Sequence, residues 1–430
     1  THHFSAPTPN AHVLTATEQP RYNQRLARKG WRVPGRHFIL MLRFSTAGES
    51  HGEALIALLS GLPAGLAVDF EFVDHQLWRR QQGYGRGGRM RIERDHAHFL
   101  SGVRNGISIG APIAIQLANR DWKNWEQTLA VAAPAGENAR PVKSPRPGHA
   151  DLAGAIKYDF PEARYILERA SARETTARVA GGALAKLFLQ ALGIEVLSHV
   201  VAVGPARLAS HVAVTWEKLH ALSRQEEVLL GCIDPASEQA MKAEVDAVLR
   251  SGDTVGGIFE VRARGVPPGL GSHANWDERL DGLLCQAIVS IQAVKAAEVG
   301  DGVLAAETVG SKVHDPIGYQ AEQRVFTRPS NHAGGLEGGI TNGQEVVVRG
   351  HLKPISTLRR PLESVDFASR EPVKAAYERS DVCVVPAAAV VGEAMVALTL
   401  ARAALEKFGG DSMREVCRNC AQYRDQVRAF

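Results

Sequence analysis

The chain has 430 residues, 45% hydrophobic and 22% charged, an ordinary soluble globular composition with length for a large buried core. Its formal charge of +4 is concentrated in residues 1–40, where Arg21, Arg25, Arg28, Lys29, Arg32 and Arg36 oppose only Glu18. The remainder therefore sits near neutrality, which gives no electrostatic basis for a nucleic-acid partner. Five cysteines are too few for a disulfide framework and fit a reducing compartment, so a cytoplasmic location is expected. Cys417 and Cys420 lack the second ligand pair of a structural zinc site and read as two thiols in a polar, helix-like tail.

In chain order, residues 1–40 are rich in Pro, Arg and His, lack the apolar run of a secretory signal, and precede a second plausible start at Met41. They read as a disordered or non-native extension ahead of one domain over 41–430. Within it, Ala47–Leu66 and Ser251–Leu270 share a glycine and proline pattern: Gly48, Gly52, Gly61, Pro63, Gly65 and Leu66 coincide with Gly252, Gly256, Gly265, Pro267, Gly269 and Leu270. Such residues fix backbone shape, so the recurrence predicts a shared turn–strand–turn path and two related halves, 41–245 and 246–430. Helices are predicted at Asp74–Gln82 and Trp276–Val289 after the two copies. Phe259, Val261 and Ala263 alternate with Glu260, Arg262 and Arg264, which predicts a strand with one buried and one wet face. A helix carrying Ala177, Ala180, Leu184, Leu187, Phe188 and Ala191 opens on a Ser171–Glu174 capping box and stops at Gly193. The apolar run Val382–Ala404 is interrupted by Pro386, Glu393 and Arg402, so it reads as a core helix and no membrane partner is expected. The fold class is α+β, with antiparallel sheets and helices.

Gly83, Gly85 and Gly88 satisfy G-x-G-x-x-G in spacing only. A dinucleotide turn follows a buried strand, whereas this one follows a polar, helix-like stretch. The segment instead reads as a flexible basic loop holding Arg79, Arg80, Arg86, Arg89 and Arg91, suited to carboxylate and phosphate or simply solvated. Ser50 and His51 lie in GESHG, where the histidine is either a proton carrier or structural. PRPGHAD presents Arg146, His149 and Asp151 on a stiff loop, with Asp151 placed to orient His149 or to cap the next helix. The first turn at Ser171–Arg173 offers backbone N–H groups and a guanidinium to an anion. NHAGGLEGGITNG has glycines that let backbone pass close to something, Lys353 sits in LKPISTL, and Arg379 and Asp381 precede the buried run. Together these describe a site for a multiply anionic substrate and a phosphorylated cofactor.

The stretches AGESHG, QGYGRGGRM, SPRPGHADL, ERASARETT, GDTVGG, GVPPGLGS, AGGLEGGITNGQ, LKPISTL and ERSDVCVVPAAAVVGEA occur in the order found in chorismate synthases, and the resemblance runs along nearly all of 41–430. It implies a β–α–β sandwich, usually a homotetramer, that uses reduced FMN. The implied reaction is a 1,4-anti elimination of phosphate from 5-enolpyruvylshikimate 3-phosphate to give chorismate. The resemblance gives His149 as the acid beside the leaving phosphate, His51 as the histidine near the flavin's N1 edge, and Asp381 as the group managing the N5 proton. It gives Arg80, Arg86, Arg89, Arg146, Arg173 and Arg379 as the substrate's anion cluster. Arg80 and Arg86 also fall at the NADP positions, so the flavin is reduced either by NADPH here or by an external flavin reductase. Flavin contacts fall on Ser171, Ala172, Arg173, Gln292, Ala293, Gly338, Lys353, Pro354, Ile355, Ser356, Thr357 and Arg379. Ala296 and Val303 depart from the family's usual Gly and Phe, which predicts an ordinary or slightly strained backbone at Ala296.

Overall fold

The computed structural model describes residues 42–87, 94–132, 140–378 and 381–430. In chain order the main elements are β1 (Arg43–Ala47), β2 (Ala54–Ser60), α1 (Phe70–Gln81), β3 (His98–Phe99), β4 (Ile113–Ala118), α2 (Asp151–Tyr158), α3 (Arg164–Ala170) and α4 (Thr175–Ala191). They continue with β5 (Glu195–Val203), β6 (Ala206–Arg207), α5 (Trp216–Ser223), α6 (Pro235–Ser251), β7 (Gly257–Arg264), α7 (Leu280–Val289), β8 (Val294–Val299), β9 (Val346–Leu352), α8 (Val385–Phe408) and α9 (Met413–Ala429).

Strands β1–β2–β4–β3 form a four-stranded sheet and β8–β9–β7–β5–β6 a five-stranded one, both antiparallel throughout. Helix α4 packs on the first sheet, α8 on β5 and β7 of the second, and the two helices pack on each other. The architecture is therefore the expected α+β sandwich with helices between sheets. Nearly every side chain of α4 and α8 is buried, as a helix covered on all sides requires. Helix α8 is long and apolar enough to cross a membrane by composition, yet 83% of its apolar window is buried inside the protein.

Glycine permits the closest approaches. A Cβ on Gly182 of α4 would lie 2.5 Å from the Ala394 Cα of α8, so only glycine allows the two backbones to meet there. The Phe259 ring of β7 fills the space that Cβ atoms on Gly350 and Gly392 would occupy. Three of the four recurrent glycine pairs take left-handed φ: +99° and +77° at Gly48 and Gly252, +89° and +74° at Gly61 and Gly265, +93° and +94° at Gly65 and Gly269, whereas Gly52 and Gly256 do not. Each pattern thus turns into and out of a strand at equivalent positions, β2 and β7.

Some local expectations change. Helix α1 begins at Phe70, because the Asp69 carboxylate caps Phe72 N at 2.9 Å. Residues Trp276–Glu278 form a separate 3-10 turn before α7. No capping box forms at Ser171: Ser171 Oγ accepts from Arg173 N, and the Glu174 carboxylate turns away to Thr46, Arg178 and Gln292. The expected wet face of β7 is partly dry, since Glu260 is buried against His199, Arg262 and Arg349. In α9, Cys420 is buried and Cys417 lies partly buried with its Sγ 3.8 Å from Ala191 O, as packing thiols do.

At the centre, the Glu393 carboxylate of α8 accepts from Arg79 of α1 (2.8 and 2.7 Å), Lys186 of α4 (2.5 Å), and the Ser198 N and Oγ of β5 (2.9 and 2.8 Å). Burial opposes its ionisation, but Arg79 and Lys186 outweigh burial and bring the Glu393 pKa down from 4.5 to about 2. Its folded pKa lies below the unfolded value, so its stabilisation is present above pH 4.5 and is lost as pH falls towards about 2. Glu393→Gln should be destabilised at neutral pH by about 3 kcal/mol or more, with a flatter loss of urea midpoint between those pH values than the parent protein. Parallel midpoint curves would contradict the assignment.

Candidate active site

Four of the predicted motifs are stitched together by buried polar contacts. Arg80, on the last turn of α1, and Arg173, just before α4, share the Asp95 carboxylate at 2.9 and 2.5 Å. Arg173 Nε also donates to Asn119 Oδ1 at 2.8 Å, and Asn119 Nδ2 donates to Glu49 O and Gly52 O of the GESHG turn. Burial lowers the Arg80 pKa to about 10 despite Asp95, with the Arg173 and Arg86 charges adding to the depression. Asp95 stays low because Arg80 and Arg173 outweigh its burial. Arg86 pairs with Asp381 at 2.9 Å, and Gly87 N donates to the other oxygen of Asp381 at 2.5 Å. Among the described residues, three guanidinium groups thus stand over the Asp95 and Asp381 carboxylates. Arg80 is buried on a helix rather than on a flexible loop. Arg79, one residue earlier, faces the opposite way into the core cluster with Glu393. Arg89, Arg91 and Arg379 lie outside the described residues.

The two histidines are held alike. His51 Nδ1 lies 3.0 Å from both oxygens of Glu168, whose Oε2 also accepts the His51 backbone N–H at 2.8 Å. The His51 ring stacks on Trp125 with centroids 4.2 Å apart, and Arg140 and Arg164 lie over the same indole. His149 Nδ1 lies 2.5 Å from Asp151 Oδ1, while Asp151 Oδ2 accepts from Arg146 N and Nε at 3.0 and 2.8 Å. Asp151 therefore orients His149 and gives no side-chain cap to α2. Burial opposes the charge of Glu168 and Asp151, but hydrogen bonds from His51 and from His149 and Arg146 prevail and hold both carboxyls low. An ionised carboxylate only accepts, so the hydrogen bond to it places a hydrogen on each Nδ1, while Arg146 Nη2 lies 3.0 Å from His149 Nδ1 and 3.4 Å from its Nε2.

The PRPGHAD loop docks on LKPISTL. Arg146 donates to Thr357 Oγ1 at 2.9 Å, and Lys353 Nζ and Ser356 Oγ both donate to Gly148 O at 2.9 Å. Partial burial, and then the neighbouring Lys295, lower the Lys353 pKa. Thr254 Oγ1 of GDTVGG donates to Ile355 O, and Lys353 N donates to Ala293 O. Pro354 completes this segment. In the glycine-rich stretch, Gly334, Gly335 and Gly339 pass against Gly300, Glu345 and Arg279, whereas a Cβ on Gly338 would meet nothing within 4 Å. Gly338 is exposed, with open space on its Cβ side among the described residues. A separate cavity of about 310 Å³, lined by Val299, His314, Asp315 and His332 among others, lies apart from these contacts.

Reading the motifs did not reveal Glu168, Asp95, Asn119, Trp125 or Arg164. Glu168 and Arg164 are charged residues on a short helix, indistinguishable by pattern from a solvated face, and nothing near Asp95 in sequence marks it. Ala296 sits in ordinary extended strand β8 beside a bulge. The left-handed residue is Ala293, at φ +69°.

Buried arginines and two carboxylate-tethered imidazoles are groups that can bind an anion and carry a proton. The profile of the family described as chorismate synthase matches residues 42–405. A chorismate synthase of Koribacter versatilis is 65% identical over 394 residues, 91% of this chain and 100% of the relative. One of Acidobacterium capsulatum is 63% identical over 395 residues, again 91% and 100%. A crystal structure of a chorismate synthase superposes with a TM-score of 0.72 at 42% identity, covering 91% of this chain and 99% of that one. The chain belongs to the chorismate synthase family and is a lyase.

The backbone at the two alanines gives a test of opposite signs. Ala293→Gly relieves a left-handed alanine and should raise stability by up to about 1 kcal/mol, whereas Ala296→Gly in a strand should lower it by about 0.5–1 kcal/mol. Thermal melts of the two variants check both.

Proposed function

We propose that this protein removes phosphate from 5-enolpyruvylshikimate 3-phosphate by 1,4-anti elimination to give chorismate, with reduced FMN as cofactor. The observation that carries the reading is the buried arginine group: Arg80, Arg86 and Arg173 over Asp95 and Asp381 supply the positive charge a phosphorylated dicarboxylate needs. A nucleic-acid role is disfavoured because Arg79 and Arg80 are buried in carboxylate pairs rather than displayed as a stripe.

Arg80, Arg86, Arg146 and Arg173, with Arg89 and Arg379 from the undescribed segments, hold the substrate's phosphate and carboxylates. His149, with Nδ1 held by Asp151, offers its Nε2 proton to the departing phosphate. His51, held by Glu168 and Trp125, would present a proton-bearing imidazole to the cofactor's N1 edge and favour the anionic reduced ring. Asp381 manages a proton at the cofactor's N5 edge, with Arg86 and Gly87 N setting its orientation. Ser171–Arg173, Gln292–Ala293, Gly338, Lys353–Thr357 and Arg379 hold the FMN. The exposed Gly338 and the buried Gln292 Oε1, which has no hydrogen-bond partner among the described residues, fit a bound ring bearing N–H groups. When bound, the reduced flavin lends electron density as the C–O bond breaks and recovers it as hydrogen leaves C6. Its electrons come from NADPH at Arg80 and Arg86 or from an external flavin reductase.

The assembly we propose is a homotetramer in the cytoplasm. Val303, Leu304, Val309, Ile317, Tyr319 and Phe326 are exposed apolar residues on the segment between β8 and β9, which a subunit interface would cover. The five described cysteines are all free thiols, as a reducing compartment keeps them. Light scattering of the purified protein checks the assembly, and a monomer would contradict it.

The activity itself is tested by anaerobic turnover with photoreduced FMN, following chorismate absorbance and phosphate release. Both products should form and should vanish without reduced flavin. His149→Ala should retain flavin and substrate binding while turnover falls about 10²–10⁴-fold, the range for loss of a general acid. His51→Ala should alter the spectrum of the bound reduced flavin. Near-normal turnover in the first variant, or an unchanged spectrum in the second, would remove that histidine from its role.

A further inference from the structure

Glu174 joins three of the motifs through one carboxylate. Its Oε1 accepts from Thr46 Oγ1 of the first strand at 2.6 Å, and its Oε2 accepts from Arg178 Nε at 2.9 Å and from Gln292 Nε2 at 3.1 Å. Arg178 also donates to Ser290 O and Oγ, so the turn carrying Gln292 is fixed from two directions. On the far side of that turn, Lys353 N holds Ala293 O at 3.0 Å, with Ala293 kept at φ +69°. Burial opposes the Glu174 charge, but Arg178, Thr46 and Gln292 prevail and hold the carboxyl low, so it acts only as an acceptor.

An acceptor-only partner settles which way the Gln292 carboxamide points: nitrogen towards Glu174, oxygen away. The Oε1 atom is enclosed and has no hydrogen-bond partner among the described residues, although Gln292 as a residue is partly exposed. An enclosed carbonyl without a donor is costly, and a donor from a bound ligand would satisfy it with the carboxamide still held by Glu174.

We infer that Glu174 is a positioning residue that fixes the Gln292 carboxamide so that its oxygen, not its nitrogen, is presented to the cofactor, where it accepts an N–H of the flavin ring. The inference rests on the flavin reading given above. It explains why Glu174 forsakes the helix cap that its sequence position offers.

The test is FMN affinity of the full-length protein, read from quenching of FMN fluorescence, with 5-enolpyruvylshikimate 3-phosphate binding and the melting temperature measured alongside. A glutamine at position 174 can donate to Gln292 Oε1 and reverse the carboxamide, so Glu174→Gln should bind FMN about tenfold more weakly. Glu174→Asp, which keeps the acceptor, should stay near the parent value. Gln292→Met removes the acceptor without touching the carboxylate and should show the same tenfold loss. Substrate affinity should be unchanged in all three. Charge alone predicts the opposite sign, because removing a carboxylate favours binding of the anionic FMN. Glu174→Gln binding FMN as tightly as the parent, or losing FMN and substrate affinity together with a lowered melting temperature, would overturn the inference. Failure of the parent protein to bind FMN would instead sink the flavin reading, and this inference with it.

Discussion

The fold turns on one buried carboxylate. Glu393 reaches across from α8 and takes hydrogen bonds from Arg79 of α1, Lys186 of α4 and Ser198 of β5, joining three helices and the five-stranded sheet at a single point. Two cations and one anion far from water are costly unless they are paired and hydrogen-bonded, and here the Gln76 oxygen takes a further hydrogen bond from each of Arg79 and Lys186. The cluster sits where α4 and α8 approach through Gly182, so close packing and charge pairing fix the same crossing. Arg80 follows Arg79 on the helix, about 100° further round at 3.6 residues per turn, so the clamp that points Arg79 inwards aims Arg80 at Asp95.

The candidate site uses the same device repeatedly: a buried carboxylate that orients rather than reacts. Glu168 sets His51, Asp151 sets His149 and Arg146, and Asp95 sets Arg80 and Arg173. Each of these acids is held ionised against its burial by the cations and N–H groups it organises. Because those carboxylates only accept, they leave the reactive faces of their partners in one defined state. Preorganisation of this kind lets a site receive several negative charges without rearranging at the moment of reaction.

Much of the fold was legible in the sequence because its signals are local. Glycine pairs such as Gly61 with Gly265 and Gly65 with Gly269 mark left-handed turns that no bulkier residue enters easily, and they follow strands β2 and β7. The long apolar run into α8 and the periodic set of α4 are equally local. Boundaries moved where a single side chain decided them, as at Asp69, whose cap starts α1 earlier than periodicity suggests. The Ser171–Glu174 spacing misled for the opposite reason: a cap is worth about 1 kcal/mol, and Arg178, Thr46 and Gln292 together offer the same carboxylate more.

By itself, then, the sequence determined the sandwich class, the order of the motifs and the residue types that meet an anion, since turns, periodicity and motif identity are written in neighbouring positions. Only the tertiary structure decided that Arg79 serves the core while Arg80 serves the site, that Glu260 is dry, and that Ala293 rather than Ala296 carries the unusual backbone. It also supplied Glu168, Asp95 and Glu174 as the partners of groups lying from 15 to 128 residues away in the chain. A charged residue's partner depends on which elements are brought together and on how much water is excluded when they meet, and neither is encoded in its neighbours.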